Sequence, residues 1–251
     1  MRILTTAFLR KMVMDVSGYY IYKIKDLPIG TDIWIDLKHK INIPLKTVFD
    51  VGANVGSFSG EILKNNPDAN ISAFEPVKST YDKLVNNKGD FSNMSFHQIA
   101  MGNTEEKVFI NIYDEKNSVL NSLNPHAMSK ESEKREEIEV QRGDDFCSRN
   151  NIGHINLLKI DTEGFELNVL LGFTNMLNSK SIDLIYLETG FDLKNTRNTY
   201  FSNILDVLTK QGYQLFGLYE VSNWSISIGE NYGNALFIRS DITKKWGFVK
   251  R

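Results

Sequence analysis

The segment Val48-Phe49-Asp50-Val51-Gly52-Ala53-Asn54-Val55-Gly56-Ser57-Phe58 carries an apolar run into an acid, a glycine-bearing turn and a helical pattern. Gly52 permits a tight turn and close backbone approach to a ligand. Asn54 tolerates left-handed angles, and Gly56 opens the helix. A second acid, Glu75 in Ala73-Phe74-Glu75-Pro76, stands 19 residues after Gly56, at the end of the next apolar run. A carboxylate there can accept hydrogen bonds from two ribose hydroxyls. A third segment, Leu158-Lys159-Ile160-Asp161-Thr162-Glu163-Gly164-Phe165-Glu166, sets three acids and one lysine at the mouth of another run. Asp161 and Glu163 can orient a hydroxyl, take its proton or hold a divalent ion. Equally, Asp161 or Thr162 can cap the following helix, with Glu163 favouring its dipole.

The glycine spacing is not the G-x-G-x-x-G of dinucleotide sites. Asp50, two residues before the first glycine, would repel a pyrophosphate. It would attract a cation carrying an amino group and a sulfonium, which points to S-adenosylmethionine and away from NAD.

Strand and helix patterns alternate around these segments. Strands are expected at 47–52, 69–76, 96–102, 106–114, 155–164, 181–190, 213–221 and 234–241. Helices are expected at 57–67, 79–87 with Ser79 as N-cap, 165–177, and 200–212 with Gly212 at its C-cap. The last two strands should be antiparallel neighbours. Alternation of this kind implies an α/β, doubly wound Rossmann-like sheet, with ligands beyond the carboxyl ends of its strands. The three acidic segments all fall there.

The chain has 251 residues, 41% apolar and 24% charged, enough for one large domain or two small ones with a substantial core. Residues 1–44 read as an N-terminal helical or extended segment packed on a core of 45–251, a single domain overall. The formal charge of −2 gives no general pull toward nucleic acid. Cys147 is the one cysteine, so neither an intrachain disulfide nor a thiolate-rich zinc or iron–sulfur site can form, and a reducing, cytoplasmic setting is expected. The four histidines show no metal-ligand spacing. No apolar run is long enough to span a membrane. Near the N-terminus, Phe8, Leu9, Met12 and Val13 share a helical face beside Arg10 and Lys11. That pattern fits a helix packed on the domain, or a basic amphipathic helix making weak membrane-surface contact.

Taken together, VFDVGANVGSFS, AFEP and LLKIDTEGFELNVLLG resemble the FkbM family of S-adenosylmethionine-dependent methyltransferases, over roughly residues 45 to 240. The resemblance implies a class I methyltransferase fold, a seven-stranded sheet with its last strand antiparallel. It implies O-methylation of a sugar or other small-molecule hydroxyl. Asp50, Gly52, Asn54 and Gly56 would frame the methionine part of the cofactor, with Glu75 and Pro76 at the ribose. Asp161 would lie near the transferred methyl.

Asp161 is therefore the first candidate base, followed by Glu163 and His126. His126 lies in a polar stretch, 114–150, that also offers Ser118, Asn121, Ser122 and Asn124 to a glycan acceptor. The charge run 129–137 reads as a solvated helix or lid with a Glu131–Arg135 pair. No metal is assigned, although a magnesium ion between Asp161 and Glu188 is conceivable. Two other readings remain: a nucleotide-sugar oxidoreductase, and a non-catalytic cofactor-binding or membrane-surface partner. Sequence alone fixes neither the acceptor nor the oligomeric state.

Overall fold

A computed structural model describes residues 6–19, 21–87, 92–112, 123, 134–221 and 231–244. The chain divides into two compact units, Met1–Asn42 and Ile43–Arg251. In the first, α1 spans Thr6–Ser17, and α2, Ile33–Asp36, runs on through a π-helical turn over Leu37–Ile41. The Asp32 carboxylate caps α2 by accepting from the Ile35 N–H at 3.0 Å. Asn42, in the left-handed region, ends the turn.

The second unit alternates strand and helix. Its elements are β1 Thr47–Val51, α3 Ser57–Asn65, β2 Asn70–Phe74, α4 Lys78–Asn86, β3 Met94–His97, β4 Ala100–Gly102, β5 Glu106–Ile112, β6 Lys134–Arg142, α5 Gly143–Arg149, β7 Ile155–Ile160, α6 Glu166–Gly172, α7 Thr174–Asn178, β8 Ile182–Gly190, α8 Phe201–Lys210, β9 Tyr213–Tyr219, β10 Tyr232–Arg239 and α9 Ser240–Lys244. Seven strands form one sheet in the order β3-β2-β1-β7-β8-β10-β9. The final strand, β10, is antiparallel to both neighbours, while the β3-β2-β1-β7-β8 run is parallel. This is the Rossmann-like architecture expected. β1, β7 and β8 lack polar alternation because helices cover both faces, and Phe49, Leu158, Ile160 and Ile185 are fully buried.

Several local expectations change. The run 96–102 is two strands, because β3 belongs to the large sheet and β4 to a small one ordered β4-β6-β5. β6 occupies part of the run read as a solvated helix. Ile138 and Val140 alternate with Glu137, Glu139 and Gln141, and this period of two puts both apolar residues in a core with Val77, Ala100 and Ile110. Arg135 is in that strand, and Glu131, its expected helical partner, lies outside the described residues.

Ser79 is not an N-cap. α4 starts one residue earlier, and its leading N–H groups go to other acids: Val77 N–H to Glu75 at 3.0 Å and Lys78 N–H to Glu136 at 2.9 Å. The helix expected over 165–177 breaks after Gly172. A Cβ there would lie 1.9 Å from the Gly102 carbonyl oxygen, so the close approach of α6 to β4 needs glycine. Past the break, the buried Asp144 accepts from Asn175 and Met176 N–H at 2.8 and 3.0 Å, capping α7 from another element. Asp144→Ala should cost about 1–2 kcal/mol in urea denaturation; an unchanged midpoint would show those N–H groups find other partners.

Candidate functional site

β1 ends in Asp50 and Val51, and the next five residues turn sharply before α3. Gly52, Asn54 and Gly56 all adopt positive φ, of 76°, 49° and 87°. At Gly52 the turn also passes so near the β7 turn that a Cβ would stand 1.8 Å from the Asp161 carbonyl oxygen. The turns after β1 and β7 are thereby pressed together, and β2 brings its own end alongside. Between them opens a cleft with about 740 Å³ of empty space. Gly52, Asn54, Glu75, Pro76, Asp161 and Glu163 all line it.

Glu75 is buried, yet its two oxygens are not used up. One accepts from the Asn54 N–H at 3.1 Å, the other from the Val77 N–H at 3.0 Å. Each retains a lone pair, the requirement for receiving a pair of vicinal hydroxyls. Burial pushes the carboxyl up to about 7, against the lowering effect of the two N–H groups and of Lys159. Binding of a ribose diol through an accepting carboxylate should therefore strengthen as pH rises through about 7. Glu75→Gln should flatten that dependence and weaken cofactor binding roughly 10- to 100-fold, the worth of one charged hydrogen-bonding partner. Calorimetry across that pH range checks both.

Asp50 is placed differently from the expectation. It has no solvent exposure and does not line the cleft. The β1–β7 register sets it opposite Lys159. Its Oδ1 lies 3.1 Å from Lys159 Nζ, and its Oδ2 accepts from Ser59 at 2.6 Å. Its charge is thus spent inside the protein, not on a cationic ligand. Gly56 likewise is not among the residues lining the cleft and stands at the N-cap of α3.

Lys159, which the sequence placed at the strand mouth without giving it a role, joins the site together. Its ammonium donates to the Gly52 carbonyl at 3.0 Å, lies 3.4 Å from Asp161 Oδ2, and sits 5.7 Å from the centre of the Phe58 ring. Burial alone would lower its affinity for a proton, but the Asp50 and Asp161 carboxylates outweigh that and hold it above the usual lysine range.

Asp161 is the most open of these acids, its side chain 41% exposed beside the cleft. Neither it nor Thr162 caps α6, whose first residue is Glu166. Instead the buried Glu166 folds the turn from beneath, accepting from Thr162 N–H and hydroxyl and from Gly164 N–H, and on its other oxygen from Thr199. This holds Glu163 at φ 53°. Glu163 is ion-paired with Arg197 at 2.6 Å. Burial raises its carboxyl to about 7; Arg197 lowers it, while Asp161 and Glu166 raise it further. Glu188 closes the group: one oxygen each of Asp161, Glu163 and Glu188 lie within 4.8 Å of one another. Burial, reinforced by those neighbouring acids, pushes Glu188 well above the usual range. His126 and the polar groups Ser118, Asn121, Ser122 and Asn124 lie outside the described residues.

Sequence reasoning also missed the cleft's apolar wall of Ile99, Met101, Ile110 and Phe165. The short apolar run at 99–101 was the available signal, but it was read as strand interior. A flat aromatic base fits such a wall, and a ribose fits Glu75. The residues present therefore suit S-adenosylmethionine.

The model of the methyltransferase FkbM domain matches residues 50–215. The chain is 28% identical over 201 residues to the hexuronic acid methyltransferase AglP of Haloferax volcanii, covering 76% of this chain and 80% of that protein. It is also 28% identical over 155 residues to methyltransferase 1 of Beauveria bassiana, covering 55% of this chain and 61% of the relative. The crystal structure of an FkbM methyltransferase from Methylobacillus flagellatus superposes with a TM-score of 0.50 at 16% identity, covering 77% of this chain and 43% of that longer one.

Proposed function

The chain belongs to the FkbM methyltransferase family, and from that premise we propose that it methylates a hydroxyl of a sugar, glycan or related small molecule. It is an S-adenosylmethionine-dependent methyltransferase. The observation that carries the proposal is the meeting of Glu75 and Asp161 on one cleft, one suited to a ribose and the other to an acceptor hydroxyl. The similarity to a hexuronic acid methyltransferase supports a sugar acceptor. Membership of the FkbM methyltransferase family replaces the oxidoreductase and non-catalytic readings.

S-adenosylmethionine, when bound, supplies a methyl group already activated on a cationic sulfur. The chain's residues then have mainly to align, desolvate and deprotonate. Glu75 holds the ribose, and the apolar wall takes the base. The Gly52 turn gives close backbone access. Asp161 accepts the proton of the acceptor hydroxyl, and Lys159 fixes the position of that carboxylate. Arg197 keeps Glu163 engaged, which makes Asp161 the better base of the two. Activity is assigned to residues 45–251, in the reducing, cytoplasmic setting suggested by a lone buried cysteine, Cys147.

Titration with S-adenosylmethionine and, separately, with NAD tests the cofactor. Incubation with methyl-labelled cofactor and a panel of free and uronic-acid-containing sugars tests the acceptor. Alkali-stable label in a sugar ether is the expected result. Label recovered only as a base-labile ester, or on an amine, would overturn the hydroxyl assignment.

A further inference from the structure

We propose that α1 docks the protein on the surface of a bilayer rich in anionic phospholipid. At 100° per residue, Phe8, Leu9, Met12, Val13 and Val16 fill one continuous arc of about 140°. Arg10, Lys11, Asp15 and Ser17 lie outside it. A helix of a soluble domain ordinarily buries such an arc. Here all five side chains are exposed, from 41% at Leu9 to 85% at Val16. Exposed apolar surface continues just past the helix at Tyr19, Ile21, Tyr22 and Ile24. Among the described residues, ten of the fifteen exposed large apolar side chains fall between Phe8 and Ile29. The apolar surface is thus concentrated in one short stretch and is not the scatter found on any protein surface.

Charge selects the occupant. Residues 1–42 carry seven lysines and arginines against four aspartates, whereas residues 43–251 carry 22 basic against 27 acidic side chains. A second copy of the chain would set one basic unit against another. Anionic headgroups complement it. The Arg10 guanidinium lies 5.2 Å from the centre of the Tyr22 ring, pairing a cation with an aromatic of the kind that settles at headgroup depth. α1 has 12 residues, too few to span a bilayer, and no described helix is long and apolar enough to cross one. A short helix with an open apolar arc and flanking cations lies in the interface plane.

Flotation of the full chain with vesicles of phosphatidylcholine, alone or mixed with phosphatidylglycerol, tests the proposal. Binding to the mixed vesicles that weakens with added salt is expected. Arg10→Glu/Lys11→Glu should lower partitioning by about tenfold or more, since each basic side chain near such a surface contributes about fivefold. Met12→Glu/Val16→Glu should abolish it. Calorimetric affinity for S-adenosylmethionine should stay unchanged in both variants, which separates docking from the methyltransferase assignment and shows that the fold is intact. Equal partitioning of variants and parent would overturn the proposal. So would absence of vesicle binding by a protein that still binds cofactor. A dimer in light scattering that Met12→Glu/Val16→Glu dissociates would overturn it in favour of a second copy.

Discussion

Asp161→Asn is expected to lower kcat by about 10²- to 10⁴-fold while leaving S-adenosylmethionine affinity within a few-fold of the parent. Asparagine keeps the size of the side chain but cannot take a proton. Asp161 is the acid that both lines the cleft and stays substantially open, with Lys159 3.4 Å from its carboxylate. Glu163 is the natural control. Its carboxylate is 12% exposed and paired to Arg197, so Glu163→Gln should lower kcat less than Asp161→Asn does. Single-turnover rates on the identified acceptor, alongside calorimetry with the cofactor, decide the matter. If Asp161→Asn turned over at the parent's rate, the base would have to be sought elsewhere. If instead cofactor affinity collapsed with the rate, Asp161 would be a cofactor anchor.

Lys159→Met should destabilise the folded protein by about 3–5 kcal/mol, the usual cost of leaving one member of a buried ion pair uncompensated. Asp50 has no solvent exposure, and without Lys159 the Ser59 hydroxyl is the one hydrogen-bond donor left to it among the described residues. The Gly52 carbonyl loses its donor as well. For a chain of this size the loss corresponds to a fall in Tm of roughly 6–20 °C. Asp50→Asn/Lys159→Met should recover part of it, because both charges then leave together. Thermal and urea denaturation of the two variants measure this. A single variant as stable as the parent would mean that solvent reaches Asp50. Cofactor binding should weaken along with stability, since the Gly52 turn and Asp161 lose their common tether.

The acids at the strand ends were legible because their positions are local facts. An apolar run must be a buried strand, a positive-φ turn must follow it, and a doubly wound sheet sends every such turn to one side. That logic located Gly52, Asn54, Glu75, Asp161 and Glu163, which line one cleft. It failed where partners are chosen across the fold. Asp50 was read as facing a ligand because its spacing from Gly52 is visible in the chain, whereas its distance from Lys159 is not. β6 was misread because the charges of the run outweighed the short alternation of Ile138 and Val140, whose burial depends on pairing with β5, more than twenty residues away.

The sequence by itself therefore determined the alternation of strand and helix around the three acidic segments, the side of the sheet that carries chemistry and the acids available there. Period, glycine placement and strand ends all act within a few residues. The tertiary structure decided what each acid does. Strand register gave Asp50 to Lys159, a segment 34 residues away in the chain gave Arg197 to Glu163, and two loop N–H groups left Glu75 one free lone pair on each oxygen. In a low-dielectric interior the role of a carboxylate is set by the groups within a few ångströms of it, and those are brought together by folding, not by neighbouring positions in the chain.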